Sequence, residues 1–207
     1  MNVVFDFGAV LFTWQPLLLV QKYFPTQAQT SESASQLAHA MFKHDDWKAF
    51  DHGTLALDEV VARTAARIGL PHDAVNGMIS CIADELQPID SNIGLLTRLR
   101  EQRDGGADDI RLFYLSNMPV PYARTLEQRH DFLNWFDGGI FSGDVNLGKP
   151  DLAIFELLAA RHGLQAADTI FIDDTLANVQ AAHQLGWQAI HCEDPEALTG
   201  QLDALMR

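Results

Sequence analysis

The sequence contains little cysteine, little basic charge and no long run of apolar residues. Its two cysteines, Cys81 and Cys192, are far apart and belong to no paired motif, which favours two reduced thiols over a disulfide or a zinc site. The apolar runs fall well short of the roughly 20 residues that cross a membrane. An apolar strand begins at Val3 without a basic leader before it, so we predict a cytoplasmic protein with no membrane partner.

The balance of charge is strongly acidic. Lysine and arginine together number 14, against 28 aspartates and glutamates, which gives a formal net charge of -14. Such a surface repels nucleic acid, which we therefore exclude as a partner. It also repels anionic small molecules. A site for a phosphorylated substrate would need local positive charge from a metal ion, a lysine or backbone N–H groups.

Short apolar stretches alternate with helical patterns along much of the chain. The stretches predict strands at residues 3–5, 110–115, 139–141, 169–172 and 187–190. Ser91 is expected to cap one intervening helix, and Pro150 and Gly163 to bracket another. This alternation predicts an α/β fold: a Rossmann-like, doubly wound parallel sheet with helices on both faces.

Residues 15–90 differ from the rest because they show helical periodicity and almost no strand-like run. Residues 57–69 are the clearest helix, with Asp58 and Glu59 in its first turn and Gly69 at its end. We therefore predict an inserted α-helical domain at 15–90 and a sheet domain formed by 1–14 and 91–207. The sequence leaves the oligomeric state open between a monomer and a homodimer.

Polar residues follow several of the predicted strands. Asp6, the pair Ser116-Asn117 and the pair Asp173-Asp174 stand at strand ends, and Lys149 follows a loop; in open parallel sheets functional groups gather at this edge. Each one alone has an ordinary explanation as a turn, cap or surface residue. Two carboxylates at the end of a buried strand, however, repel each other and favour a cation. Together the residues predict an active site.

Four segments carry a family resemblance that extends over essentially the whole chain. Residues 4–11 (VFDFGAVL), 114–117 (YLSN), 148–151 (GKPD) and 171–175 (FIDDT) resemble, in order, the motifs of the haloacid dehalogenase-like hydrolase superfamily. The helical insertion resembles the small cap of subfamily IA. Within it, residues 50–54 (FDHGT) and 57–70 are similar to sugar-phosphate phosphatases and to the amino-terminal phosphatase domain of soluble epoxide hydrolase.

The resemblance implies a phosphomonoester hydrolase that acts on a small phosphorylated metabolite, for which a sugar phosphate is one candidate. Asp6 would be the nucleophile and form an aspartyl-phosphate. Ser116 and the amide of Asn117 would bind the phosphoryl oxygens. Lys149 would neutralise both the nucleophile and the transferred group.

The resemblance also implies Mg²⁺ as the cofactor. Asp6, the backbone carbonyl of Gly8 and Asp174 would hold the ion, with phosphate and water completing its shell. Asp173 would orient Lys149 or a metal-bound water, and Asn178 would hold the loop.

One position departs from the pattern of the superfamily. Most of its phosphatases carry a second aspartate two residues after the nucleophile as general acid and base, and here that residue is Gly8. The loss of such a group typically costs about 10² to 10⁴ in rate. Three explanations are open: a substrate with a good leaving group, a proton from a cap residue or water, or slow or absent turnover. His44, Asp45 and Asp46 are the nearest cap donors in sequence.

Two other functions compete with the phosphatase. In a 2-haloacid dehalogenase Asp6 would attack carbon without a metal, but the pair Asp173-Asp174 and the lack of arginine between Asp6 and Arg63 disfavour this chemistry. A non-catalytic protein with the same fold is supported only by Gly8.

Overall fold

The computed structural model describes residues 1–106 and 109–206. One parallel sheet forms the centre, with the strand order β3-β2-β1-β4-β5. Its strands are Asn2–Phe5 (β1), Arg111–Ser116 (β2), Gly138–Phe141 (β3), Thr169–Asp173 (β4) and Gln188–His191 (β5). The predicted strands are confirmed, and their ends are shifted by one residue at most.

Helices occupy the intervals between the strands. They are Pro16–Tyr23 (α1), Ser31–Phe42 (α2), Asp45–Asp51 (α3), Leu57–Ile68 (α4), His72–Glu85 (α5), Asp90–Asp104 (α6), Val120–Arg129 (α7), Leu152–His162 (α8), Leu176–Gln184 (α9) and Leu198–Leu205 (α10). Within the described ranges, no helix combines the length and the apolar character that a bilayer crossing needs.

Both faces of the sheet are covered by helices, as the pattern of β1 shows. Alternate side chains of a strand point to opposite faces. Val4 belongs to a buried cluster with side chains of α8 and α9, including Phe155. Val3 and Phe5 belong to a second cluster, with side chains of α6 and α10 such as Leu96. A parallel sheet buried on both faces confirms the predicted doubly wound α/β fold.

Helices α1 to α5 all lie between β1 and α6 in the sequence. They pack largely on one another, α1 against α2 and α4 against α5. The predicted helix at 57–69 is confirmed: Val60, Val61 and Ala65 form its buried side, and Gly69 ends it in a left-handed conformation with φ of +68°.

The predicted cap at Ser91 is wrong. Helix α6 begins at Asp90, so Ser91 lies within its first turn, and the Ser91 hydroxyl is buried without a hydrogen-bond partner among the described residues. The backbone N–H of Ile89 donates to the carbonyl of Leu11 at 2.9 Å, which fixes the entry of the chain into the helix before Ser91 is reached.

The start of α8 also differs from the prediction. Pro150 lies outside the helix, which begins at Leu152. Asp151 is the N-cap, because its side chain accepts a hydrogen bond from the backbone N–H of Ala153 at 3.0 Å. Aspartate is among the favoured N-cap residues, and here it takes precedence over proline as the start signal. The end at Gly163, with φ of +64°, is confirmed.

Candidate active site

The candidate site lies at the carboxyl edge of the sheet, above its central strand. β1 lies between β2 and β4, so Asp6 is flanked by the residues that end those strands. Most of the predicted site residues line one cavity of about 570 Å³: Asp6, Gly8, Ser116, Asn117, Lys149, Asp174 and Asn178. Asp173 is fully buried beneath them.

A buried lysine joins two of the aspartates. Lys149 Nζ lies 2.9 Å from Asp6 Oδ1 and 2.6 Å from Asp173 Oδ2. Burial alone would lower the pKa of Lys149, but the two carboxylates outweigh it and raise the pKa above its usual value. The ammonium therefore stays charged, and it supplies fixed positive charge next to Asp6.

Asp173 is held on every side by the protein. Its carboxylate accepts hydrogen bonds from Asn178 Nδ2, at 2.9 Å and 3.1 Å, and from the backbone N–H of Thr175 at 2.8 Å, besides the contact with Lys149. This network fixes Asp173 as a support for the lysine. Asn178 thus lines the cavity and also holds the Asp173 carboxylate in place.

The side chain of Asn117 is engaged by the backbone of Lys149. Asn117 Nδ2 donates to the Lys149 carbonyl at 2.9 Å, and the Lys149 N–H donates to Asn117 Oδ1 at 2.8 Å. The side-chain amide is therefore committed to positioning the lysine. Any contact of Asn117 with a phosphate is left to its backbone N–H.

Negative charge is in excess around Asp6. Burial raises the pKa of Asp6 to about 7, with Lys149 opposing the shift, Asp173 and Asp174 adding to it, and the Ser116 hydroxyl opposing it. One carboxylate oxygen from each of the three aspartates lies within 4.8 Å of the others. Three acidic groups around a single ammonium form an arrangement that a divalent cation would stabilise.

The oxygen atoms available at this cluster fit Mg²⁺. Asp174 lines the cavity, and burial, together with Asp173, raises its pKa. The turn after Asp6 is closed by bonds to the carbonyl oxygens of Phe7 and Phe12, so in the described chain these bonds leave the carbonyl of Gly8 available. Carboxylate and carbonyl oxygens are the ligands that Mg²⁺ prefers.

Gly8, the position that departs from the superfamily pattern, leaves the cavity without a side chain there. A Cβ atom built on Gly8 would meet only Trp14 Cβ, at the ordinary contact distance of 3.8 Å. The backbone therefore leaves room for a side chain at this position.

A carboxyl group that the sequence did not single out opens onto the same cavity. Asp51, the last residue of α3, lines it from the side of the inserted helices. Burial raises the pKa of Asp51 well above its usual value, with Lys43 opposing and Asp6 adding to the shift. The only signal in the sequence was that Asp51 falls within the segment 50–54 that carried the family resemblance.

Contacts with the segment after β3 fix the position of Asp51. Ser142 Oγ donates to the Asp51 carbonyl at 2.5 Å. Gly53 packs so closely on Gly143 that an added Cβ would lie 2.3 Å from the Gly143 carbonyl oxygen. Only glycine fits there, and its φ of +70° also favours glycine.

The cap donors suggested by sequence have other partners. His44 Nδ1 accepts from the Asp46 N–H at 3.1 Å and caps α3. Asp46 pairs with Arg63 at 3.3 Å and with Arg67 at 2.7 Å. Asp45 lies exposed in the first turn of the same helix. None of the three lines the cavity, whereas Asp51 of the same helix does.

The fold is thus a Rossmann-like α/β sheet that carries a lysine-bridged acidic cluster at its carboxyl edge. Residues 15–186 match the family model of the haloacid dehalogenase-like hydrolases. The chain belongs to this family, and it is an enzyme of the hydrolase class.

Two relatives by sequence are fungal proteins. The chain is 29% identical over 203 residues to sesquiterpene phosphatase astK of Aspergillus oryzae, a match that covers 98% of this chain and 95% of that protein. It is 26% identical over 201 residues to drimenol cyclase drtB of Aspergillus calidoustus, which covers 97% of this chain. The chain spans only 35% of the length of that second relative.

The fold is shared with a solved HAD family enzyme from Bacteroides thetaiotaomicron, crystallised with magnesium and inorganic phosphate. The TM-score is 0.67 at 19% sequence identity, and the match covers 91% of this chain and 92% of that one. At this identity the likeness establishes the fold.

Proposed function

We propose that this chain is a Mg²⁺-dependent phosphomonoester hydrolase in which Asp6 forms an aspartyl-phosphate. The observation that carries the proposal is the 2.9 Å contact between Asp6 Oδ1 and Lys149 Nζ within a cluster of three carboxylates. A charged lysine at the nucleophile suits the transfer of a phosphoryl group, which depends on positioning and charge neutralisation. The relative named as a phosphatase, and the structural neighbour with magnesium and phosphate, support the same chemistry.

The reaction would begin at the free oxygen of Asp6. Oδ1 is occupied by Lys149 and by the backbone N–H of Phe7 at 2.7 Å, which leaves Oδ2 to attack phosphorus. The phosphorus–oxygen bond to the alcohol breaks as the new bond to Asp6 forms. Water then attacks the aspartyl-phosphate, releases inorganic phosphate and restores the carboxylate.

The phosphoryl oxygens would be bound by groups at the end of β2 and by the lysine of the loop after β3. The Ser116 hydroxyl and the backbone N–H of Asn117 donate to them, and Lys149 compensates their charge. Asp6, Asp174 and the Gly8 carbonyl are the residues that would hold Mg²⁺. When bound, the ion supplies positive charge that the acidic chain itself lacks.

A proton for the leaving alcohol would come from Asp51. Asp51 lines the same cavity as Gly8, and Ser142 and the Gly53 turn hold α3 in place there. Burial raises the pKa of Asp51 well above its usual value, so its carboxyl holds a proton more strongly than an exposed aspartate does. It would donate this proton to the alcohol oxygen and afterwards accept one from the attacking water. Asp51 would thus replace the aspartate that is missing from the turn after Asp6.

We further propose that residues 15–90 form the cap of a subfamily IA enzyme, over a catalytic core of 1–14 and 91–207. Residues from both parts line the cavity. Tyr122 of α7 donates its hydroxyl to the Ile79 carbonyl of α5 at 2.6 Å, and Asn146 Nδ2 donates to the His52 carbonyl at 2.9 Å. A substrate held between the two parts would be a small phosphorylated metabolite, with sugar phosphates and apolar phosphate esters as the two candidate classes.

The test is phosphate release from p-nitrophenyl phosphate with Mg²⁺ and with EDTA. We expect phosphate release in Mg²⁺ but not in EDTA, and we expect Asp6→Asn to release no phosphate in either. Asp45→Asn, which changes an exposed carboxylate, is the matched control and should retain activity. Release of halide from a 2-haloacid in EDTA, without any phosphate release, would instead establish the dehalogenase alternative.

A further inference from the structure

We propose that the site accepts monophosphate esters of hydrophobic alcohols, with the phosphate at Asp6 and the organic group against an apolar wall of the same cavity. The inference rests on the proposed function and specifies its substrate class.

The wall is built from aromatic rings that hold one another in place. Trp14, Phe42, Trp47 and Tyr122 line the cavity. Trp14 and Phe42 meet edge to face with ring centroids 5.2 Å apart, and Phe42 and Trp47 do so at 4.8 Å. The ring of Phe50 packs behind these rings, with its centroid 5.6 Å from that of Trp47 and 5.5 Å from that of Tyr122. Such pairs fix ring positions, so the wall is preformed for a ligand.

Aliphatic side chains extend the wall towards the opening. Ile82 and Leu86 line the cavity from α5 and its end, and Leu17 lines it from α1. Leu17 is 43% exposed. A single exposed leucine is ordinary, but this one continues a surface that already contains four aromatic rings. An apolar group bound there would remove Leu17 from water.

The polar residues of the cavity fall into two sets. One is the catalytic group around Asp6, Lys149 and Asp174, with Asp51 from α3. The other is Ser35, His39 and Lys43, spaced four residues apart on or just after α2 and all exposed to solvent. The rest of the lining, from Trp14 to Tyr122, is largely apolar. The hydroxyl groups of a sugar would lose water there without gaining enough partners, which is costly, whereas an alkyl group gains from burial.

The test is a series of straight-chain alkyl monophosphates from ethyl to octyl, assayed below their micelle concentrations. All are esters of primary alcohols, so the chemistry of the leaving group stays constant and only the buried length changes. We expect kcat/KM to rise roughly fourfold for each CH₂ that enters the cavity. Glycerol 3-phosphate and glucose 6-phosphate should fall below hexyl phosphate.

Two matched variants locate the effect. Leu17→Gln changes a half-exposed side chain, which keeps the risk to folding low, and should lower the octyl-to-ethyl ratio of kcat/KM about fivefold. Leu205→Gln, at a leucine of α10 that is 40% exposed and outside the lining, should leave this ratio unchanged.

The outcomes separate the inference from the function beneath it. A flat or falling series, with p-nitrophenyl phosphate still hydrolysed, overturns the apolar substrate class and leaves the phosphatase standing. An octyl-to-ethyl ratio of kcat/KM that is unchanged in Leu17→Gln likewise overturns the assignment of the apolar wall and leaves the phosphatase standing. If no phosphate is released from any ester, both the inference and the proposed function are overturned.

Discussion

The side-chain amide of Asn117 binds both polar groups of the Lys149 backbone, at 2.9 Å and 2.8 Å. The two residues are 32 positions apart, yet this pair of hydrogen bonds joins the end of β2 to the loop that carries the lysine. The ammonium reaches Asp6 and Asp173 from a backbone that Asn117 fixes. The position of the Lys149 ammonium therefore depends on Asn117, whose side chain need not touch the substrate.

Asn117→Ala should loosen Lys149 and lower kcat at least tenfold, with a smaller change in KM. It should also lower the free energy of unfolding by about 1 to 3 kcal/mol, because two buried backbone groups lose their partners. Steady-state kinetics and urea unfolding measure the two effects. Asn76→Ala, which removes an asparagine whose side chain bonds Ser80 on α5, is the control and should leave kcat unchanged.

The buried carboxyl of Asp6 gives the metal-free protein a characteristic pH dependence. Its pKa is raised from 3.8 to about 7, so between these values the folded state binds a proton that the unfolded state has released. Stability in EDTA should therefore fall as pH rises from about 4 to about 7 and level off above, by up to about 4 kcal/mol. The difference in unfolding free energy between wild type and Asp6→Asn isolates this contribution, and a difference that rises with pH over the same range would contradict it.

Gly8→Asp should restore the missing acid, since a side chain at this position meets only Trp14 at 3.8 Å. Hydrolysis of alkyl phosphates should accelerate more than hydrolysis of p-nitrophenyl phosphate, because only the poor leaving group needs a proton. The ratio of the two kcat values measures the effect. Equal acceleration of both substrates would show that proton donation does not limit the native enzyme.

Asp51→Asn should lower kcat for alkyl phosphates by a factor of about 10² to 10⁴, and it should lower kcat for p-nitrophenyl phosphate much less. The substitution keeps the shape of the side chain and removes only its acid. Gly8→Asp in the Asp51→Asn background should recover part of the loss. Asp51→Asn could instead lower kcat equally for both substrates, with no recovery on addition of Gly8→Asp. In that case Asp51 supports the structure of the cavity and is not the proton donor.

The strands and their end residues could be predicted because their signals are local. A buried strand reads as an apolar run, and the parallel arrangement then places Asp6, Ser116 and Asp173 at one edge. Ser91 was misjudged because the contact between Ile89 and Leu11, which fixes the start of α6, joins distant parts of the chain.

The contacts of the Asn117 side chain and the position of Asp51 could not be predicted from the sequence, for a related reason. Turn chemistry suggested a polar residue at Asn117, but the partner of its side chain lies in another loop. Asp51 lines the cavity because Ser142, 91 positions away, and the Gly53 turn orient α3 against the segment after β3. Helical periodicity gives the buried side of a helix, and it does not give the direction in which the helix docks.

The most direct measurement is mass spectrometry of the peptide that contains Asp6, after rapid acid quenching of a reaction with p-nitrophenyl phosphate and Mg²⁺. We predict that wild type carries one added phosphoryl group on Asp6 during turnover, and that Asp6→Asn carries none and releases no phosphate. Sustained phosphate release by Asp6→Asn, or a phosphoryl group on a different residue in wild type, would contradict the assignment of Asp6 as the nucleophile.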